Sequence, residues 1–214
     1  MRRGEGHAVT QDARRGRRVT VVLAALVLLT GAALVALTVS RSGGPARDGP
    51  EAGFARDMSA HHAQAVRMSF IVRDRTDDRD VRLLAYDIIS TQSAQIGMMT
   101  AWLDEWGLPK TDPAGPMRWM SGHGGHPGAS AAMPGMATRE RLTDLEKASG
   151  RAAEVLYLRL MAAHHRGGVA MAEAVLARTD HDRVRRLART MVEGQRSEIT
   201  LMNEMLRRRG GPAA

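Results

Sequence analysis

The feature that most restricts what this 214-residue chain can become is an internal repeat. Shifted by 103 positions, EAGFARDMSAHHAQAVRM from Glu51 falls on EVLYLRLMAAHHRGGVAM from Glu154. RTDDRDVRLLA from Arg75 then falls on RTDHDRVRRLA from Arg178 without a gap. Between 51–106 and 154–209, 20 of 56 positions are identical, where unrelated segments of similar composition give on the order of one in ten. One supersecondary unit therefore occurs twice, and each copy buries its apolar face against the other.

Each repeat reads as two helices. Val81, Leu84, Ile88, Ile96, Met99 and Leu103 recur at spacings of three, four or their sums, which is helical periodicity. First helices are expected over about 52–74 and 152–177, and second helices over about 78–105 and 181–207. The turns between them, Arg75-Thr76-Asp77 and Arg178-Thr179-Asp180, offer Thr or Asp as caps. Aromatic residues make up only 3% of the chain, a balance that disfavours strands. The expected fold is all-α: a four-helix bundle of two duplicated hairpins spanning 51–209. The linker 107–150, rich in Gly, Pro and Ala, is far longer than a tight helix-to-helix turn and is long enough to cross the bundle. A short helix is expected over 139–149 after Thr138, broken by Gly150.

Ahead of the repeats, residues 19–39 carry no charge and as a helix would span about 31 Å, the thickness of a bilayer core. Six arginines within 1–18 mark that stretch as cytoplasmic and send the remainder outward. The expected arrangement is a basic N-terminus (1–18), a single-pass membrane anchor (19–39), a tether (40–50) and an extracytoplasmic domain. Cleavage of the apolar segment would make the domain secreted instead. The formal charge of +8 is concentrated here, with eight arginines against Glu5, Asp12 and Asp48 in residues 1–50. Later basic residues alternate with acids and lack stacking aromatics, so nucleic acid is not an expected partner. Oligomeric state is not legible.

Cysteine is absent, so soft metal ligands have to be methionines, and 13 of the 14 lie after residue 50. At 100° per residue, Met58, His61, His62, Ala65 and Met68 share an arc of roughly 120°, as do Met161, His164, His165, Gly168 and Met171. Methionine at this spacing is ordinary core filling. Four inward imidazoles are harder to accommodate, because their ring nitrogens need partners that a metal ion supplies directly. Thioether with imidazole and no thiolate suits Cu(I), with Ag(I) as its analogue, better than zinc or hard cations. The candidate ligands are His61, His164, His62, His165, Met58, Met161, Met68 and Met171. Glu51, Glu154, Glu198, Gln92 and Gln195 are further ligand or supporting candidates, with Gln95 as the repeat partner of Glu198. Binding is expected to weaken below about pH 6, as free imidazole takes up a proton.

The linker holds a second set, Met117, Met120, His123, His126, Met133 and Met136, which reads either as an open, labile metal site or as incidental residues of a low-complexity segment. Two rival readings stay open: a metal-free helical interaction module and a copper-dependent redox enzyme. A di-iron or di-manganese oxidase is disfavoured, because the chain has no Glu-x-x-His. No nucleophile elbow, phosphate loop or dinucleotide fingerprint is present either.

The duplicated MSAHHAQAVRM and MAAHHRGGVAM, with Gln92-x3-Ile96 and MPGMAT at 133–138, resemble the bacterial family called domain of unknown function 305, over residue 51 to about 209. The resemblance implies a ferritin-like four-helix bundle and, for some members, exported copper-binding proteins linked to copper tolerance. A copper-exporting or copper-receiving protein would then be a partner. Carried over by motif position, the ligand region is Met58, His61, His62, Met68, Met161, His164, His165 and Met171. Gln95, where the family often has glutamate, and Gly167-Gly168 depart from that pattern and make the two halves unequal.

Overall fold

The computed structural model describes residues 26–31, 44–120 and 133–210, and every regular element among them is helical. The chain divides into two compact units, Met1–Gly44 and Pro45–Ala214. Of the expected anchor 19–39, residues 26–31 are described and are helical. The other anchor positions, and the basic stretch 1–18, lie outside the described residues. No described helix is long and apolar enough to cross a membrane.

The second unit contains α1 (Pro50–Arg73), α2 (Arg79–Glu105), a 3-10 turn (Arg118–Met120), α3 (Arg139–Lys147), α4 (Gly150–Leu176) and α5 (Asp182–Arg208). α1 pairs with α2 and α4 with α5 as two hairpins, and α1 lies against α4 to join them into a helical bundle. Pro50 opens α1 at a position where its missing N–H costs nothing. Asp78 caps α2 by accepting from Val81 N at 3.0 Å, and Thr138 caps α3 by accepting from Arg141 N. Gly150 does not simply end α3. It adopts φ +50, donates its N–H to Arg75 O at 2.7 Å and starts α4.

The core has two halves, each drawn from both repeats. One gathers Ala52, Phe54 and Met58 of α1 with Met171, Ala172 and Val175 of α4. The other gathers Ala65, Met68 and Val72 of α1 with Tyr157, Leu158 and Met161 of α4. The start of α1 thus meets the end of α4 and the reverse, so the two helices run antiparallel. Between the two apolar halves lie the histidines.

Identities shared by the repeats explain how the hairpin ends close. Thr76 Oγ1 accepts from Asp78 N and donates to Glu154 Oε1 at 2.7 Å. Thr179 Oγ1 accepts from His181 N and donates to Glu51 Oε1 at 2.5 Å. Arg82 donates to the carbonyls of Arg73 and Thr76, and Arg185 does the same to Leu176 and Thr179. Each turn is therefore fastened to the first helix of the other repeat. Arg209 also contacts Glu154, through Nε at 2.7 Å.

Removing one of these hydroxyls leaves a carboxylate short of a donor. Thr76→Val is expected to lower unfolding stability by about 1.5–3 kcal/mol, the range for a hydrogen bond to a charged group, measured by urea denaturation. Thr179→Val should behave alike.

Candidate metal centre

His61 and His62 lie on α1, and His164 and His165 on α4. All four are buried. The His61 and His164 rings stack, with centroids 3.7 Å apart and planes 31° from parallel. His62 lies 6.4 Å from His61, and His165 lies 6.3 Å from His164, giving a row of four rings across the bundle.

Every ring meets an oxygen at Nε2. His61 Nε2 donates to Pro134 O and His164 Nε2 to His61 O, both at 3.0 Å. His62 Nε2 donates to Gln95 Oε1 and His165 Nε2 to Glu198 Oε2, both at 2.7 Å. Backbone carbonyls, carboxylates and the Gln95 amide oxygen only accept, so each ring carries a proton on Nε2, and neutral His61, His62 and His164 keep the lone pair on Nδ1. The Nδ1 atoms of His61, His62 and His165 are buried and have no hydrogen-bond partner among the described residues. Gln92 Oε1 and Gln195 Oε1 share that condition. Gln195 reaches its place because position 168 is glycine: a Cβ there would stand 2.4 Å from Gln195 Oε1.

Burial is the main cause of the histidines' acidity. It lowers His61 to about 4 and His62 to about 3, with neighbouring imidazoles adding to the effect and the Pro134 and Gln95 contacts opposing it. His164 is also held well below the ordinary range by burial and by the rings beside it. These imidazoles are neutral at pH 7, the form that ligates metals. The expected loss of ligation below pH 6 is corrected accordingly: while the fold persists, His61 and His62 take up protons only near pH 4 and 3.

Met58, Met68, Met161 and Met171 are fully buried. Met58 and Met171 belong to one half of the core, Met68 and Met161 to the other, so a methionine from each repeat stands on either side of the histidine row. Among the described residues no group of three or more His, Asp or Glu side chains is gathered as a metal site. Ring lone pairs lie in the ring plane, so the stacked His61 and His164 do not aim at one another.

Glu51 and Glu154 are engaged elsewhere. Each stands ten residues, about 15 Å of helix rise, before the first histidine of its repeat, and each is taken up by a threonine of the opposite turn. Met117 is buried at φ +66, its N–H held by Asp57 Oδ2 at 2.8 Å, and Met120 and Met133 pack on the flank of the same core half. Met136 closes a turn onto Met133 O. His123 and His126 lie outside the described residues.

Several contributors were not visible as motifs. Asp57 anchors the linker through Met117 N and Trp119 Nε1, both at 2.8 Å, and burial raises its carboxyl above the usual value. Trp119 stacks against α1 where Gly53 leaves room. Pro134 and Gln64 hold the later part of the linker over the histidines. The sequence signals for these two are the MPGMAT stretch at 133–138 and a break in the repeat, Gln64 in one copy and Gly167 in the other.

Paired buried histidines in a duplicated helical hairpin point toward one family, and the sequence model of that family, Domain of unknown function (DUF305), matches residues 51–206. The chain belongs to the DUF305 family. A crystal structure of a candidate secreted DUF305 protein from Streptomyces coelicolor is 53% identical, covers 79% of this chain and 99% of its own, and superposes with a TM-score of 0.73. A DUF305 fragment from Deinococcus radiodurans is 36% identical over 74% of this chain and 96% of its own, with a TM-score of 0.62. CopM in its Cu(I)-bound form, at 22% identity, 72% and 94% coverage and a TM-score of 0.54, shares the fold. No curated protein matches the chain.

The buried histidines make this DUF305 domain sensitive to acid. The folded pKa values of His61, His62 and His164 lie below those in the unfolded chain, so the unfolded state binds the extra protons. Stability of the metal-free protein should be complete above about pH 6.5 and fall steadily toward pH 4. Asp57, shifted upward, opposes this only near the carboxylate range. Urea midpoints at pH 7, 6, 5 and 4.5 check the trend, and a flat series would contradict it.

Proposed function

We propose that the domain binds a soft metal ion, Cu(I) foremost and Ag(I) as its analogue, and serves copper buffering, transfer or tolerance outside the cytoplasm. One observation carries the reading: four buried imidazoles each spend Nε2–H on an oxygen, and Nδ1 of His61, His62 and His165 is left buried without a hydrogen-bond partner in a layer flanked by four buried thioethers. Metal-binding histidines ordinarily have their second nitrogen oriented in this way, and sulfur beside nitrogen selects Cu(I). Met58 lies three residues before His61 and four before His62, and Met161 is placed likewise before His164 and His165, so each thioether shares a helix face with its histidines. Ligation by few donors, imidazole with thioether, fits a layer in which no three His or carboxylate groups gather among the described residues. CopM, of similar fold, is known in Cu(I)-, Cu(II)- and Ag-bound forms, which supports the choice of metal.

In this reading the ferritin-like domain 51–209 is held outside the membrane by an anchor at 19–39 and a tether at 40–50, with 1–18 in the cytoplasm, and meets a copper-exporting or copper-receiving partner. Cleavage of the apolar segment would release it, in keeping with the candidate secreted relative. Extraction of membranes with alkaline carbonate decides between them: an anchored chain stays in the pellet, and a released one appears in the medium.

Titrating the full chain in detergent with Cu(I) against a chromophoric chelator tests the metal itself. Wild type should compete for the ion, and the His61→Ala/His164→Ala variant should lose affinity by more than about tenfold while keeping its helicity. Failure of the wild type to compete removes the metal reading. Loss of helicity in step with binding would make the histidines structural and favour an interaction module. Glu198→Gln, which copies the Gln95 half, should weaken binding by about tenfold.

A further inference from the structure

The linker segment 133–137 is keyed into the bundle at three points. Position 167 must be glycine, because a Cβ there would stand 1.9 Å from Pro134 O. Position 135 must be glycine twice over: its φ is +74, and a Cβ would stand 2.3 Å from Ala163 O and 3.0 Å from His164 Cα. On the α1 side, Gln64 grips Ala137 with both ends of its amide, Nε2 donating to Ala137 O at 3.0 Å and Oε1 accepting from Ala137 N at 2.7 Å. Between these contacts Pro134 O receives the Nε2–H of His61. Gln64 and Gly167 are equivalent positions of the two repeats, so the duplication has diverged where the segment crosses: one copy supplies the grip, the other the clearance.

We infer that segment 133–137 is a positioning strap, with Gln64 and Gly167 as its positioning residues, that fixes His61 in the Nε2–H form and slows the departure of an ion held at Nδ1; the part concerning the ion rests on the metal-binding reading above. A carbonyl at this place leaves His61 one tautomer. With the strap gone, Nε2 would have no fixed acceptor and the imidazole would populate both forms. His62 and His165, oriented by Gln95 and Glu198, lie outside the strap's reach.

The test uses the full chain in detergent micelles, labelled with nitrogen-15, as wild type, Gln64→Ala and Gly167→Ala. Gln64→Ala removes the grip at a half-buried site, and Gly167→Ala displaces the strap while favouring the helix that carries it. Two-bond proton–nitrogen spectra of the metal-free protein report each tautomer directly. The expected result is a single Nε2–H form of His61 in wild type and a mixture in both variants, with His62 and His165 unchanged and helicity preserved. Cu(I)-loaded variants should surrender the ion to a chelator about tenfold faster. A His61 signal that stays in the single Nε2–H form in either variant overturns the inference, whether or not copper binds. A wild type that binds no Cu(I) removes the metal-binding reading and the exchange claim, and leaves the tautomer result to decide the strap.

Discussion

A row of four buried imidazoles laid across the middle of an apolar bundle is the constraint on which the rest depends. Each ring needs an oxygen for Nε2–H, and the four oxygens come from four places: Gln95 on α2, Glu198 on α5, the His61 carbonyl of α1 and Pro134 of the linker. A buried donor left without its acceptor costs about 1–3 kcal/mol. Sliding α1 along α4 by one turn, about 5.4 Å, would strand several of them together. The polar layer therefore sets the register that apolar contacts alone specify loosely, while burial keeps His61, His62 and His164 uncharged.

The two halves of the core can then be alike without being identical. Tyr157 OH and Ser69 Oγ lie 2.9 Å apart in one half, and burial lifts the phenol above the ordinary range. The equivalent positions in the other half hold Phe54 and Ala172, neither with a hydroxyl. The two hydroxyls occur together and are absent together, each serving as the other's hydrogen-bond partner. The crossed threonine–glutamate contacts repeat more strictly, because each turn depends on the opposite hairpin for its partner.

Much of the helical architecture was legible because duplication and periodicity report on the same thing, a face that has to be buried. The helix limits fall within about two residues of the expected ones, and the stripe from Met58 to Met68 does face inward. Glu51 and Glu154 share the stripe's angle but are taken up by the threonines of the opposite turns, because angular position on a helix says nothing about height along it. The acidity of the histidines escaped for another reason: a reference pKa belongs to a solvated ring, and the depth of burial is a property of the assembled bundle. The strap left no periodic signal at all, since its contacts are made by backbone atoms of Pro134 and Ala137.

The exchange of Gln64 for Gly167 carries a consequence for modularity. Two hairpins that descend from one unit and share a third of their residues look interchangeable, and a chain with their order reversed would keep the histidine row and the crossed turns. It would also put a bare backbone where the amide grip belongs and a long side chain where Pro134 needs clearance. The halves have ceased to be copies in the sense that matters for assembly: each is now bound to its place in the chain.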